Sequence, residues 1–228
     1  MIAIIDYGVG NLFSLRSSFA AIGEAAVVTS EPDVIRYADR ILLPGVGAFA
    51  DAAEKLRSSG MADVVISEAS KGKPLLGVCL GMQLLFEKSF EYGEHKGLGL
   101  LEGTVRPLKG YIPEGLKIPQ MGWNSLELKK SSSPLLKYVK NGDFVYFVHS
   151  YYAADCDASV IAVTDYGAPV TAAVESGNIY GCQFHPEKSG EVGLNILKAF
   201  CELESYSPAT PGYLPDTGSL GNRERGKL

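Results

Sequence analysis

Cys79 stands in the segment Gly77-Val78-Cys79-Leu80-Gly81, which has the G-x-C-x-G form of a nucleophile elbow. Such an elbow is a sharp turn from a strand into a helix. It brings the flanking backbones so close that side chains two residues either side of the nucleophile would collide, so glycine suits both places. The turn also sets a cysteine at a helix N-terminus, where unpaired N–H groups and the helix dipole favour a thiolate. The N–H of Leu80, the next residue, can then point at a developing oxyanion. The five residues would also suit a buried structural cysteine beside two packing glycines. An apolar run before them (74–78) and a helical pattern after them (80–87) favour the elbow.

A thiol nucleophile needs a base. The chain has three histidines, His95, His149 and His185. His95 lies in the polar stretch Glu94-His95-Lys96 and reads as a surface residue. His149 ends the apolar run Phe144-Val-Tyr-Phe-Val-His149, so a core histidine and a site-lining one are both open. His185 lies in Gln183-Phe184-His185-Pro186-Glu187. Pro186 disfavours a helical conformation at His185, and in an extended chain residues two apart share a face. Glu187 can then orient the His185 imidazole as the acid of a triad does. Alone, H-P-E also fits an incidental surface turn. Beside the cysteine elbow it completes a Cys79, His185, Glu187 triad.

These groups need elements to hold them. In the first half, strand patterns at 2–6, 27–29, 40–43 and 74–78 alternate with helical patterns at 11–22, 49–58, 61–70 and 80–87. Continuous apolar strands between helices predict a parallel sheet covered on both faces. In the second half, segments 103–107, 125–128, 144–148, 160–164, 170–175 and 179–184 read as strands with short turns, near 166–167 and 177–178. They are expected as antiparallel additions to the sheet. A last helix is expected over 192–204. The predicted class is therefore α/β, with a mostly parallel central sheet, flanking helices and antiparallel strands added in the second half. Residues 1–204 are expected to form one domain. Residues 205–228, with Pro208, Pro211 and Pro215 and little apolar periodicity, are expected to be a disordered tail.

Composition narrows the function. A net charge of -5 without a basic cluster argues against nucleic-acid binding. The opening MIAIIDYGVGN has neither the basic nor the apolar region of a signal peptide, and no apolar run is long enough to span a bilayer, so a cytoplasmic protein is expected. Cys79, Cys156, Cys182 and Cys201 form no CxxC pair, which gives no sign of a zinc framework or a disulfide scaffold. The chemistry read here needs no metal and no cofactor.

The segments GVCLGMQLLFE and QFHPEKS together resemble the class I, triad-type glutamine amidotransferases, and the likeness covers about residues 1–204. Pro44-Gly45-Val46-Gly47 looks like that family's oxyanion loop. Within the family, the opening Asp6-Tyr-Gly-Val-Gly-Asn11 and the segments Pro119-Gln-Met-Gly-Trp-Asn124 and Tyr146-Phe-Val-His-Ser-Tyr151 resemble the branch that serves imidazole glycerol phosphate synthase in histidine biosynthesis. The resemblance implies that Gly47, Gln83, Ser150 and Tyr151 help to hold glutamine. Gly45, Val46, Gly47 and the N–H of Leu80 would form the oxyanion hole. Asn11, Gln120, Met121, Trp123, Asn124, Tyr146 and Lys188 would face a (β/α)8-barrel cyclase subunit in a heterodimer. Ammonia from glutamine would pass between the subunits, and the glycines of the 44–47 loop would let a peptide flip when the partner binds its ligand. The competing readings are an amidotransferase of another pathway, such as one feeding pyridoxal phosphate, anthranilate or GMP synthesis, a stand-alone cysteine hydrolase, and a binding module with a degenerate triad.

Overall fold

The computed structural model describes residues 1–204. The tail expected over 205–228 lies outside the described residues. The first half runs β1 (Ile2–Ile5), α1 (Leu12–Ala21), β2 (Ala26–Thr29), α2 (Pro32–Tyr37), β3 (Arg40–Leu43), α3 (Phe49–Ser58), α4 (Met61–Ser70), β4 (Leu75–Val78) and α5 (Leu80–Leu84). Then come β5 (Phe86–Ser89), β6 (His95–Lys96), β7 (Leu101–Pro107), β8 (Gln120–Ser125), β9 (Glu127–Leu128), β10 (Phe144–His149) and β11 (Tyr151–Ala154). The chain closes with β12 (Val160–Asp165), β13 (Pro169–Ser176), β14 (Ile179–Cys182) and α6 (Gly190–Cys201).

The main sheet has the order β2-β1-β3-β4-β14-β13-β12-β9. The pairings from β2 to β14 are parallel and the rest antiparallel. Strand β1 shows why the early strands are apolar at every position. Ile2 and Ile4 pack into one core with Leu15, Phe19, Ile196 and Phe200, under α1 and α6. Ala3 and Ile5 pack into a second core with Ile35, Leu56 and Val65, under α2, α3 and α4. A strand buried on both faces has no solvent side to mark with polar residues.

The α/β architecture matches the expectation, with three corrections. The second-half strands do not all extend the main sheet: β8 and β10 form a separate two-stranded ribbon, and β5, β6, β7 and β11 a small four-stranded sheet. Strand β14 joins the parallel part rather than the antiparallel part, beside β4. The helix after Cys79 stops at Leu84, and Phe86 begins a strand. Among the described residues, no helix is long and apolar enough to cross a membrane.

Candidate active site

Open parallel sheets bind ligands beyond the C-terminal ends of their strands. Four adjacent strands here send functional groups to that edge: β1 leads to Tyr7, β3 to residues 44–47, β4 to Cys79, and β14 to Gln183 and His185.

Cys79 sits at φ 55°, ψ −113°, a conformation that L-residues rarely adopt. Its backbone N–H donates to the Cys182 carbonyl at 2.7 Å, tying the elbow to β14. The glycines behave as the spacing predicts. A Cβ on Gly77 would lie 2.7 Å from the Gly81 carbonyl oxygen and from the Met82 backbone. A Cβ on Gly81 would lie 2.0 Å from the Leu43 carbonyl oxygen, so the elbow helix presses directly on the end of β3. Helix α5 has only five residues, which leaves little aligned dipole and weakens that part of the case for a thiolate. The Leu80 N–H at the start of α5 remains in place as a donor.

The Nδ1 atom of His185 lies 2.8 Å from Glu187 Oε1. A carboxylate accepts, so Nδ1 carries the proton and Nε2 is left for the sulfur. Both side chains are almost wholly buried. The geometry that joins them differs from the expected extended pair. His185 is extended, but Pro186–Lys188 form a 3-10 turn that swings Glu187 back beneath the ring. The backbone N–H of His185 donates to the Tyr146 carbonyl at 2.9 Å, and its own carbonyl accepts from Ser189 Oγ at 2.6 Å. Burial would lower the His185 pKa, but the adjacent Cys79 and Glu187 outweigh it and hold the value up to about 9.

Residues 44–47 close the opposite side. The Tyr7 hydroxyl donates to the Pro44 carbonyl at 2.7 Å, fixing the base of the loop. Burial, with Cys79 nearby, pushes the Tyr7 hydroxyl well above its ordinary pKa, so it stays a donor. Gly45 packs against the backbone of Leu80 and Gly81, beside the first turn of α5. Val46 and Gly47 are exposed and line the same cleft as Cys79, Leu80, Gln83, Ser150, Tyr151 and His185. Cys79, His185 and the predicted glutamine-holding residues thus meet in one cleft, with Glu187 behind His185. Gln83 Nε2 is already engaged, donating to the Tyr151 carbonyl and to Gln183 Oε1 at 3.0 Å each.

Several residues of this region carry no local sequence signal. Glu91 lines the cleft and accepts from the Phe49 N–H at 2.7 Å, at the start of α3. Lys109 and Tyr92 also line it. Both alternatives for His149 hold at once, since it is buried and lines the cleft. Its Nδ1 lies 2.8 Å from the Tyr151 carbonyl and so bears the proton. Burial, with His185 nearby, drives its pKa down to about 4, leaving a neutral ring. Gln183, fully buried, reaches Cys79 Sγ with its amide nitrogen at 3.8 Å.

The residues expected at a partner surface divide. On the β8–β10 ribbon, Trp123 pairs with Tyr146, and Met121 with Val148. The Trp123 and Tyr146 rings meet edge to face with centroids 6.1 Å apart, and Lys188 Nζ lies 5.8 Å above the Tyr146 ring. Met121 and Trp123 are 63% and 53% exposed, enough to offer a partner an apolar surface. Gln120 departs from the expectation. It is fully buried, on the inner face opposite His149, and donates to Asn124 Oδ1 at 3.1 Å. Asn11 spends its side chain as the N-cap of α1, accepting from the Ser14 N–H at 3.4 Å.

Comparison with known proteins agrees with this geometry. Residues 3–202 match the family described as Glutamine amidotransferase class-I. The imidazole glycerol phosphate synthase subunit HisH of Wolinella succinogenes is 52% identical over 205 residues, which cover 89% of this chain and 100% of that protein. The subunit of the same name from Caldanaerobacter subterraneus subsp. tengcongensis is 52% identical, covering 89% of this chain and 98% of that one. The Lactococcus lactis subunit is 48% identical, covering 88% and 98%. Among solved structures, one described as a glutamine amidotransferase has a TM-score of 0.68 at 18% identity, covering 88% of this chain and all of that chain. A chain of PurLQS from Thermotoga maritima has a TM-score of 0.65 at 21% identity, covering 88% and 96%. At those identities the structures speak to the fold alone. The family match and the similarity to synthase subunits along nearly their whole length place this chain among the class I glutamine amidotransferases.

Proposed function

We propose that this chain hydrolyses the side-chain amide of glutamine through Cys79, His185 and Glu187. We further propose that it supplies the ammonia to a (β/α)8-barrel cyclase subunit of imidazole glycerol phosphate synthase, as half of a heterodimer in histidine biosynthesis. The observation that carries the reading is the convergence on one cleft of a strained cysteine elbow, a buried His–Glu pair and a glycine loop.

The Cys79 thiolate attacks the amide carbon of glutamine. The oxyanion that forms is held by the Leu80 N–H and by N–H groups of residues 45–47. His185, which keeps its proton at neutral pH, passes it to the amide nitrogen. The C–N bond breaks and ammonia leaves, with a glutamyl thioester on Cys79. His185, now neutral, takes a proton from water as the water attacks the thioester. The C–S bond breaks, glutamate leaves, and the thiolate–imidazolium pair is restored. Glu187 fixes the imidazole tautomer throughout. Glu91 and Lys109 offer opposite charges along the cleft, the complement of the α-ammonium and α-carboxylate of an amino acid.

The exposed Met121 and Trp123, with Lys188 and the half-buried Tyr146 beside them, support the partner assignment. On the partner, ammonia would convert a phosphoribulosyl formimino intermediate into imidazole glycerol phosphate and aminoimidazole carboxamide ribonucleotide. A glutamine-like electrophile tests the nucleophile directly. It should form one covalent adduct, on Cys79, and none in Cys79→Ala. An adduct elsewhere, or protection by an unrelated amide but not by glutamine, would overturn the reading.

A further inference from the structure

We propose that Gln183 is a second hydrogen-bond donor to the Cys79 thiolate, beside His185, and that Gln83 holds it in that orientation through a buried amide relay. The elbow helix has only five residues, so its dipole is a weak source of thiolate stabilisation. His185 supplies one donor, and the contacts of the sulfur show a second. Among the described residues, Sγ has two hydrogen-bonding neighbours besides His185, which also bonds it. The Val148 carbonyl, at 4.0 Å, can only accept. The Gln183 Nε2, at 3.8 Å, can only donate. A thiol can direct its proton at Val148, whereas a thiolate is served by the protonated His185 and by Gln183. The two contacts therefore suit the two protonation states of one atom.

The amide would be useless if it could rotate by half a turn and offer its oxygen to the sulfur. The relay prevents this. Gln183 Oε1 accepts from Gln83 Nε2 at 3.0 Å. The same Gln83 nitrogen donates to the Tyr151 carbonyl at 3.0 Å, which cannot donate in return. Both hydrogens of the Gln83 amide are thus assigned, and Gln83 must present N–H to Gln183. Gln183 must then present its oxygen to Gln83 and its N–H to Cys79. The Tyr151 carbonyl is itself anchored by His149 Nδ1 at 2.8 Å. Gln183 is wholly buried and does not line the cleft, so it meets the sulfur and not the substrate. Because the Gln183 amide is buried, water does not compete for it, and a charge-assisted bond from it is stronger than its exposed counterpart.

The proposal rests on Cys79 being the nucleophile, but its test needs no glutamine. The pH dependence of Cys79 carbamidomethylation by iodoacetamide is followed on the folded full chain, by mass spectrometry of the Cys79 peptide. Other groups facing the site also titrate or carry charge: His185 with Glu187 beneath it, Tyr7, His149, and Glu91 and Lys109 along the cleft. The comparison is therefore between variants that leave all of them in place. Gln183→Met should raise the alkylation midpoint by about one pH unit, a tenfold loss of thiolate below the midpoint. Gln83→Met, which frees the Gln183 amide to rotate, should raise it by less. With glutamine, Gln183→Met should lower kcat and leave KM near the wild-type value.

An unshifted midpoint in a folded Gln183→Met overturns the assignment, as does a raised KM with kcat retained. A shift in Gln183→Met with none in Gln83→Met overturns the relay. Should Gln183→Met fail to fold, an unshifted Gln83→Met overturns the proposal and a raised midpoint supports it. Wild-type Cys79 inert to iodoacetamide would instead sink the nucleophile reading, which keeps the two failures apart.

Discussion

Replacing Gly81 by alanine adds one carbon atom and should disable the protein. The new Cβ would sit 2.0 Å from the Leu43 carbonyl oxygen, 2.8 Å from the Leu43 carbonyl carbon and 3.0 Å from the Pro44 carbonyl carbon. Ordinary contact begins near 3.4 Å, so helix α5 and the end of β3 must part by more than an ångström. Neither can move alone. Leu43 is paired with Gly77 in the centre of the main sheet, and the elbow is tied to β14 through Cys79 N–H. The cost is the upper end of overpacking, about 3 kcal/mol. The same displacement would shift residues 44–47 relative to Cys79. Urea unfolding followed by circular dichroism measures the stability, and Gly177→Ala supplies the comparison. Gly177, unlike Gly81, has a positive φ, of 57°, and nothing lies within 4 Å of its added Cβ, so backbone strain alone should cost it about 1–2 kcal/mol. If Gly81→Ala is no less stable than Gly177→Ala, the close-packed elbow described here is wrong.

Three further expectations concern charge and surface. Because His149 is held near a pKa of 4 when folded and returns to about 6.5 when unfolded, the unfolded chain binds the extra proton. Its contribution, about 3 kcal/mol, is full above pH 6.5 and is lost as pH falls towards 4. His149→Asn keeps a donor for the Tyr151 carbonyl and should flatten that part of the urea-midpoint profile, whereas identical profiles would contradict the buried neutral ring. Glu187→Gln removes the carboxylate that fixes the His185 tautomer and should lower kcat by about 10³–10⁴; a loss below tenfold would remove Glu187 from the triad. Trp123→Ala, at a residue 53% exposed, should leave the stability of the isolated chain within about 1 kcal/mol and weaken binding to the barrel subunit by about 30-fold. Unchanged affinity in titration calorimetry would move the interface elsewhere.

The proposed catalytic centre is legible in the sequence because its signals are local. Gly77 and Gly81 flank Cys79 within five residues, and Pro186 joins His185 to Glu187 within three. The parallel strands were legible because burial on both faces leaves uninterrupted apolar runs. What escaped depends on contacts distant in sequence. Gln183 points at a sulfur 104 residues earlier in the chain, and Glu91 caps a helix 42 residues before it. Neither residue differs in sequence from an ordinary polar one. Helix α2 has six residues, too few to show a period. Strand β5 is hidden in the helical pattern before it, because Leu84-Leu85-Phe86 is apolar without a break and suits either element. Strand β8 gives no strand pattern, because an exposed Met and Trp alternate with Gly and Asn, which inverts the usual sign of burial. Gln120 shows the limit of a resemblance, since it lies in the motif yet faces inward.

The central claim is partnered glutamine hydrolysis through Cys79. It is tested most directly by measuring glutamate and ammonia release from glutamine for wild type and Cys79→Ala, each alone and with the barrel subunit and its nucleotide ligand. The account predicts low activity for the wild type alone, a sharp rise with the liganded partner, and none from Cys79→Ala under either condition. Equal rates with and without the partner would contradict the synthase assignment, and turnover by Cys79→Ala would contradict the triad.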